Sequence, residues 1–380
     1  MVSRLYPTTR RLFRQVLRHL KVFGMEAVVS PLVLGLMAVY ITGLLLLDRR
    51  QNGTRIADWL PARAHDALNR LLRVHPVSTW ALMGRLIQWA RGLGQGYLMV
   101  DDVVVSKPFS KQSRWVGWTY STSEKRHLRG FHVVVLLWCV GSWRIPVAFR
   151  LWRPKARSSP SRYRTKPQLA WEMIVEVVQA GLPIQYIVFD TLYTAGWLTK
   201  KINRLGLTWV GVLHPNTTVY YRNRRQKVAP LGKKLRLKWR ARLQLRARSI
   251  MAYLPKYGTI RLVVTKNRHG NVEVLATNDL ASDLTTIVLR KRSRWSIETL
   301  FRDVKQLSGL AACQCRVDQA LVRHVALVLI AFVVLQRLRL HPKETLGEVK
   351  ERLQRELFTG GMPAPTPLRA KVPAAQLLTA

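Results

Sequence analysis

Acidic residues are scarce in this chain, so the positions of the few that exist carry information. The sequence has 20 Asp and Glu against 63 Lys and Arg among 380 residues. Asp101 and Asp102 follow the apolar run "YLMV", and Asp190 follows "YIVF". Both runs are typical of buried strands, and ligand sites of α/β sheets lie where such strands end. An Asp at a strand end also caps turns, so each motif taken alone leaves both interpretations open.

A third carboxylate lies in the segment "SRWSIETLFRDVKQL" (293–307), whose apolar residues recur at helical spacing. At about 100° per residue, one polar stripe contains Lys291, Arg294, Glu298 and Lys305. An apolar stripe runs beside it, so Glu298 is expected at the border of the buried face, directed toward the rim of the sheet. The alternative is an Arg294–Glu298 surface pair, which contributes about 0.2–0.5 kcal/mol. That pair would leave the two aspartate motifs unexplained.

Two Asp from strands and one Glu from a helix would form a ligand set of oxygen atoms alone, with a high negative charge. Such a set suits Mg²⁺ or Mn²⁺ and does not suit zinc. Two hard cations in one site activate a water or a sugar hydroxyl and stabilise the leaving oxygen of an in-line displacement at phosphorus. Because side chains alternate along a strand, only one of Asp101 and Asp102 can face this site.

The elements that must position these carboxylates follow from hydrophobic periodicity. Between residues 96 and 215, β-rich runs alternate with helical stretches, which indicates an α/β sheet with some parallel pairing. Residues 216–278 are basic and strand-like throughout, which predicts an inserted β-module. Helical patterns return in 279–342, and 343–380 is predicted to be a helix followed by a disordered tail.

Residues 1–95 read as a helical domain that we predict to bind DNA. The stretch Gly53–Arg73 suits either a helix-turn-helix DNA reader or a plain helical hairpin. The apolar run from Pro31 to Leu47 lies at the lower limit for spanning a bilayer. The rival interpretation of that run is a wholly buried helix.

The net charge of +43 restricts the partners of the protein. Such a charge destabilises a compact state unless a polyanion shares it, which leaves nucleic acid or an anionic membrane surface. Three cysteines, Cys139, Cys313 and Cys315, form neither a disulfide framework nor a zinc site, which favours a reducing cytoplasm. No secretory signal is evident at the start of the sequence.

The stretch "KKLRLKWRARLQLRARS" (233–249) alternates basic with apolar residues, which is the period of a β-strand. We predict that its basic face contacts DNA phosphates through Arg236, Lys238, Arg240 and Arg242. Trp239 in this stretch and Trp295 are candidates for stacking on an unpaired base. A core position is the alternative for each, as it is for Trp209.

The motifs "DDVVVSK", "VFDTLYTAG" and "RWSIETLFRDVKQLSGL" together resemble the transposases of bacterial insertion sequences, of the DDE type with a ribonuclease H-like core. The resemblance covers roughly residues 50 to 340. Within that group, the motifs resemble more specifically one branch. This branch is marked by the signature Tyr-x2-Arg-x3-Glu-x6-Lys and by a β-insertion between the second Asp and the Glu. Arg294, Glu298 and Lys305 match this signature, whereas Lys291 stands in the position of its Tyr.

The resemblance implies an α/β fold with a ribonuclease H-like core (96–215 and 279–342), an inserted β-module and an N-terminal helical domain. In that family the catalytic Asp usually precedes a β-branched residue, which favours Asp102, before Val103, over Asp101. The implied catalytic residues and metal ligands are thus Asp102, Asp190 and Glu298, holding two Mg²⁺ or Mn²⁺ ions. Lys291, Arg294 and Lys305 are expected to bind DNA.

The implied activity is metal-dependent cleavage at the ends of an insertion sequence and strand transfer into target DNA. The expected partners are double-stranded DNA of the terminal inverted repeats and of the target, and a second copy of the chain on that DNA. The expected location is the bacterial cytoplasm, at the nucleoid, without a membrane. The alternatives are a non-catalytic nucleic-acid-binding protein on the same fold and a basic membrane-associated protein anchored through Pro31–Leu47.

Overall fold

The computed structural model describes residues 7–48, 51–60, 65–110, 113–121, 124–255, 257–312 and 314–359. Its first part is helical, as the sequence predicts. The helices are α1 (Pro7–Val22), α2 (Pro31–Leu46), α3 (Gly53–Trp59), α4 (His65–Arg73) and α5 (Thr79–Arg91).

Strands and helices alternate after α5. The elements of the first part of the sheet are β1 (Gly96–Ser106), β2 (Gly117–Ser121), β3 (Arg126–Val140), β4 (Trp143–Trp152), α6 (Lys166–Gln179), β5 (Ile184–Phe189), α7 (Gly196–Arg204) and β6 (Thr208–Val212). The inserted module follows with β7 (Thr218–Tyr221), β8 (Arg224–Lys227), α8 (Val228–Lys234), β9 (Lys238–Arg240), β10 (Leu245–Leu254), β11 (Gly258–Lys266) and β12 (Val272–Thr277). The chain then forms α9 (Leu284–Arg292), α10 (Trp295–Gln306), α11 (Asp318–Arg337) and α12 (Leu346–Thr359).

Over the described residues, the twelve strands form one mixed sheet in the order β2-β3-β1-β5-β6-β12-β11-β10-β7-β8, with β4 on β3 and β9 on β10. β1, β5 and β6 are parallel to one another, whereas β3 is antiparallel to both β1 and β4. Helices α6 and α7 make the connections before and after β5. This architecture confirms the predicted α/β fold with a ribonuclease H-like core.

The inserted module continues the core sheet and is not purely β. β12 pairs with β6 through three residue pairs, so the sheet passes from the core into the module without a break. Residues 228–234, predicted as strand, form helix α8, which buries Val228 and Leu231. Val228 and Leu231 are spaced i and i+3, which places both on one face of a helical turn but on opposite faces of a strand, and α8 packs against β12.

The basic stretch 233–249 is not one strand, which corrects the sequence-based prediction. It contains the end of α8, strand β9, a 3-10 turn over Ala241–Leu243 and the start of β10. Gln244 adopts the left-handed conformation with φ 53°, which lets the chain reverse. β9 then folds back on β10, where Arg240 pairs with Leu245 and Lys238 with Ala247.

The apolar run from Pro31 forms a buried helix. Ser30 caps α2 by accepting a hydrogen bond from the N–H of Val33, and Pro31 occupies the first turn, where its missing N–H costs nothing. Residues 33–46 of α2 are all buried, packed against α1, α4 and α11. Helix α11 is also long and apolar enough to cross a membrane, but 83% of its most apolar stretch of 18 residues is buried inside the molecule.

The N-terminal helices share one continuous hydrophobic core with the first part of the sheet and with α11. A second, smaller core lies between the module strands and α9. Of the predicted helix-turn-helix, α3 and α4 are present, whereas residues 61–64 of the turn lie outside the described residues. The predicted C-terminal helix is α12, and the predicted tail from residue 360 onward also lies outside them.

Candidate active site

Strand β1 positions the two adjacent aspartates. β1 pairs with β5 in parallel only as far as Val100, opposite Phe189. β1 itself runs on to Ser106, because β3 pairs with it along that whole length. The sequence predicted that Asp101 and Asp102 lie at the end of a strand, and this is wrong. Both residues lie inside β1, beside the point where the neighbouring strand β5 ends. Asp190 directly follows that neighbour, so all three residues lie at one rim of the sheet, although the side chains of Asp101 and Asp102 point to opposite faces.

Asp101 faces helix α10. Its Oδ2 accepts a hydrogen bond from Nη1 of Arg294 at 3.0 Å. The second terminal nitrogen of the same guanidinium binds the carboxylate of Glu298, one turn further along the helix. Arg294 thus joins Asp101 and Glu298, and the structure brings these two carboxylates to one cation.

The surroundings of Asp101 disfavour its charge. Burial raises the pKa of Asp101 to about 7, while the backbone N–H of Asp102 and the guanidinium of Arg294 act in the opposite direction. The carboxylates of Asp102 and Asp190 raise the pKa further. Asp190 therefore lies close enough to Asp101 for its charge to affect the ionisation of Asp101.

Asp102 points to the opposite face of the sheet, toward the start of α6. Its Oδ2 accepts a hydrogen bond from Nζ of Lys166 at 2.7 Å and lies 2.9 Å from Nδ1 of His132. Its Oδ1 accepts one from the hydroxyl of Tyr193 at 3.1 Å. Burial alone would raise the pKa of Asp102, but the contacts with His132 and Lys166 lower it below its usual value. Both oxygens of Asp102 thus have protein partners.

Asp190 is held in a tight turn after β5. Its carboxylate accepts a hydrogen bond from the N–H of Thr191, and its carbonyl accepts one from the hydroxyl of Thr194 at 2.8 Å. Gly211 of β6 is needed beneath this turn, because a Cβ there would lie 2.4 Å from Oγ1 of Thr194. The turn is therefore fixed both by hydrogen bonds and by close packing.

The polar stripe predicted for residues 291–305 is split between two helices. α9 ends at Arg292 and α10 begins at Trp295, and the hydroxyl of Ser293 bonds to the carbonyl of Arg290 at 2.6 Å, which closes the first helix. The carbonyl of Lys291 still accepts a hydrogen bond from the N–H of Arg294 at 3.1 Å, but the Lys291 side chain is directed to β12, with its Nζ 2.6 Å from the carboxylate of Glu273.

Lys305 lies at the far end of α10. It is half-buried, and burial lowers its pKa, while the charge of Glu124 at the tip of the β2–β3 hairpin opposes that effect. This end of α10 therefore lies near the hairpin and away from Arg294.

The carboxylates are of the type that binds a hard divalent cation, but the side chain of Arg294 lies between two of them. In the described ranges, no group of three His, Cys, Asp or Glu side chains is arranged to hold a metal ion. The guanidinium of Arg294 supplies the positive charge between Asp101 and Glu298. A metal site formed by Asp101, Asp190 and Glu298 therefore requires Arg294 to turn away from them.

The predicted DNA-binding cations of the module are all exposed: Arg236, Lys238, Arg240 and Arg242. Trp239 is 49% exposed beside the guanidinium of Arg268, and Trp295 is 65% exposed at the first turn of α10. Trp209, in contrast, is fully buried and donates a hydrogen bond to the hydroxyl of Tyr257 at 3.1 Å. Of the three tryptophans, only the last one occupies the core.

Sequence reasoning missed the partners of Asp102. His132 and Lys166 stand in segments without a motif, so spacing gives no signal for them. Tyr193 lies three residues after Asp190 in "VFDTLYTAG", and a fully buried hydroxyl in such a motif needs a polar partner. The sequence alone does not reveal that this partner is Asp102.

Comparison with known proteins gives one informative result. A family model described as DDE superfamily endonuclease matches residues 35–257. The match covers more than half of the chain, includes Asp101, Asp102 and Asp190, and ends before Glu298. No similar protein was found among those with curated functions.

Proposed function

This chain belongs to the DDE superfamily of endonucleases, and on that premise we propose that it is a DNA transposase. It cleaves the ends of an insertion sequence and joins them to target DNA. The observation that carries the proposal is the meeting of Asp101 and Glu298 at one guanidinium, with the charge of Asp190 acting on Asp101, in a protein of net charge +43. Such a carboxylate cluster would repel DNA on its own, and it becomes useful to a DNA-cutting enzyme once cations neutralise it.

We assign metal binding to Asp101, Asp190 and Glu298, with two Mg²⁺ or Mn²⁺ ions as the cofactor. Bound there, the ions would activate a water or a 3′-hydroxyl and stabilise the leaving oxygen. The choice of Asp101 departs from the Asp102 favoured by the sequence motif. Asp102 faces away from Glu298, and its two oxygens already bind Lys166, His132 and Tyr193.

Asp102 acts as a positioning residue in this proposal. Nδ1 of His132 lies 2.9 Å from Oδ2 of Asp102, and Nε2 of the same ring lies 2.7 Å from the hydroxyl of Thr119, so the imidazole links the two side chains. These contacts tie the middle of β1 to β2, β3 and α6. The backbone that carries Asp101 is thereby held at the rim of the sheet.

Arg294 has two roles in the proposal. In the metal-free protein it neutralises Asp101 and Glu298, which would otherwise repel each other. Released from them, its guanidinium lies at the start of α10, where it can bind a DNA phosphate by two parallel hydrogen bonds. Lys305 and the exposed cations Arg236, Lys238, Arg240 and Arg242 extend the basic surface for double-stranded DNA of the element ends and the target.

Transposition handles two DNA ends together, so we propose a homodimer on DNA, acting at the nucleoid in the bacterial cytoplasm. A second candidate function is a non-catalytic DNA-binding protein on the same fold. One observation favours it: Lys291, in the place of the signature Tyr, pairs with Glu273 of the chain itself. The two candidates differ in whether the carboxylates take part in chemistry.

The test is cleavage of duplex DNA that carries one element end, with Mg²⁺. The end is recognisable in the DNA around the reading frame as a short inverted repeat bounded by a direct duplication. Asp101→Asn, Asp190→Asn and Glu298→Gln should each abolish cleavage and leave DNA binding nearly unchanged. A matched control is Glu26→Gln, because Glu26 is an exposed carboxylate paired with Lys21 outside the site.

Two results would contradict these assignments. Cleavage by Asp101→Asn, together with its loss in a folded Asp102→Asn protein, would return the ligand role to Asp102. DNA binding without cleavage by the wild type, with either Mg²⁺ or Mn²⁺, would favour the non-catalytic candidate. Titration with Mn²⁺, followed by the electron paramagnetic resonance signal of the unbound ion, tests the ligand set independently of activity.

A further inference from the structure

The β2–β3 hairpin carries two large aromatic side chains that the fold leaves in solvent. Trp118 is 75% exposed and Tyr120 is 50% exposed, both on the short strand β2. Their cross-strand partners on β3 are Arg129 and His127 respectively. Large aromatic groups are usually well buried, so a surface pair aligned with basic residues needs an explanation.

The register of the sheet places this pair on the face that carries Asp101. Asp101 pairs with Val135 of β3, and directly paired residues point to the same face. Every second residue of β3 shares that face, and the series from 135 down to 127 reaches the partners of both aromatics. Six residues separate Val135 from Arg129, which is about 20 Å along the strand at 3.3 Å per residue.

A second observation agrees with this placement. Glu124, at the tip of the same hairpin, interacts electrostatically with Lys305 of α10. Because α10 also carries Glu298, the hairpin and the candidate active site lie along one side of the sheet. The aromatic pair is thus within reach of a DNA strand that passes the carboxylates.

The hairpin is held so that the two rings stay exposed. Thr119, between them in sequence, points to the other face and binds Nε2 of His132 at 2.7 Å. Its cross-strand partner Leu128 is buried on that face. Alternation along β2 then requires residues 118 and 120 to face outward.

The chemistry around the rings suits a nucleobase with a flanking phosphate. The ring of Tyr120 lies 5.3 Å from the exposed imidazole of His127, and Arg126 next to it is also exposed. Just before β2, the ring of Trp115 is flanked by the guanidinium groups of Arg114 and Arg153 at 5.4 and 5.3 Å. Aromatic rings alternating with cations form the surface that binds single-stranded nucleic acid, where rings stack on bases and cations track the backbone.

We propose that Trp118 and Tyr120 form a stacking platform for unpaired bases of DNA, about 20 Å from Asp101. The proposal rests on the proposed function, because it takes DNA as the ligand. At about 3.4 Å per nucleotide along a strand, this distance corresponds to about six nucleotides from the phosphate that is cut. The platform would hold a strand that has been separated from its complement beside the cleavage site.

The experiment measures binding in EDTA, so that cleavage does not contribute. The probes are fluorescein-labelled duplexes of the element end, one fully paired and the other with an unpaired flank of eight nucleotides. Trp118→Ala should weaken binding of the unpaired probe about 5- to 150-fold, the range for loss of one base–aromatic stack, and leave the paired probe nearly unchanged. Trp118→Phe should retain most of the affinity, whereas Trp118→Leu should not, because Leu keeps apolar area without a ring face.

Two controls make the result specific. Trp197→Ala removes another exposed tryptophan, on α7, which packs against α6 on the other face of the sheet, and should leave both probes unchanged. An abasic nucleotide is then moved along the unpaired flank. It should weaken binding by the wild type most near the sixth position and have no further effect there in Trp118→Ala.

The outcomes separate the platform from the proposed function. Equal binding of the unpaired probe by wild type and Trp118→Ala would overturn the platform and leave the transposase proposal standing. Equal weakening of both probes would also overturn it, because the residue would then contact the duplex backbone. A change of oligomeric state by light scattering, with unchanged DNA affinity, would assign the surface to protein contact. Failure of the wild type to bind either probe would count against the proposed function itself.

Discussion

Replacing Asp101 by Asn should stabilise the metal-free protein at neutral and alkaline pH. The carboxyl of Asp101 is 18% exposed, and burial raises its pKa from 3.8 to about 7. The folded protein therefore holds a proton on Asp101 that the unfolded chain has released between these two pH values. Stability consequently falls as pH rises through that window, and the whole loss is present above pH 7.

The size of the effect follows from the pKa values. Each tenfold change in the ionisation constant is worth about 1.4 kcal/mol, so the difference between 3.8 and about 7 corresponds to about 4 kcal/mol at alkaline pH. Asn carries no charge and can still accept the hydrogen bond that the N–H of Asp102 donates to Asp101. Between pH 5 and pH 8, the free energy of unfolding of Asp101→Asn should therefore rise relative to wild type by about 3 kcal/mol.

Urea denaturation in EDTA at several pH values measures this difference directly. Glu26→Gln serves as the control, because it removes an exposed carboxylate that lies outside the site. Added Mg²⁺ should stabilise the wild type at pH 8 and have little effect on Asp101→Asn. A pH-independent difference between wild type and Asp101→Asn would refute the reasoning, since it would mean that the Asp101 carboxyl ionises as it does in the unfolded chain.

Three further predictions concern neighbouring groups. Asp102→Asn should have the opposite effect and destabilise the protein at pH 7 by about 3 kcal/mol. The pKa of Asp102 is lower in the folded protein than in the unfolded chain, so its charge stabilises the fold above the pKa of the unfolded chain, and Lys166 would lose its partner. Equal stability of both proteins in urea would contradict this. Arg294→Ala should reduce cleavage of an element end far more than it lowers the melting temperature, with Arg302→Ala on the same helix as the exposed control; a large fall in melting temperature with unchanged cleavage per folded molecule would favour a purely structural pair. Replacement of four cations together by Gln, namely Arg236, Lys238, Arg240 and Arg242, should make the plot of log affinity against log salt less steep. The magnitude of its slope should fall by about 0.9 per contact, up to about 3.6 in all, equally for element ends and unrelated DNA. An unchanged slope in a salt titration would show that these cations do not bind phosphate.

Much of the fold could be predicted from local pattern. The strands of the core are runs of β-branched and aromatic residues between turn residues, and α2 follows from an apolar run behind a Ser-Pro cap. Glu298 could be placed at the border of a buried helix face because the apolar residues after it recur at helical spacing. That Asp101 and Asp102 lie inside a strand and not at its end was beyond this reasoning, since it depends on how far β5 extends beside β1.

The features that local pattern left open share a physical cause, because the spacing of residues alone does not show which face meets a neighbour or where an element is interrupted. Alternation shows that Asp101 and Asp102 face opposite ways, but only the packing of α10 and α6 decides which faces Glu298. The helical period runs through residues 291–305, yet the backbone hydrogen bonds tighten to i→i+3 spacing around Ser293 and Arg294, where one helix ends and the next begins. Alternation likewise runs through residues 233–249, while the left-handed Gln244 reverses the chain.

The union of β12 with β6 has a mechanical consequence. Leu275, Ala276 and Thr277 pair with the strand that follows α7, so backbone hydrogen bonds connect the module to the layer that carries Asp190. A flexible linker would let the module rotate relative to the core, whereas the hydrogen-bonded pairing of β6 with β12 restricts that rotation. DNA gripped by the exposed cations of β9 would therefore be presented to the carboxylates at one fixed angle. If the module were exchanged for that of a related protein, the angle would be preserved only if β6 and β12 were both transferred with it, so that their pairing stayed intact.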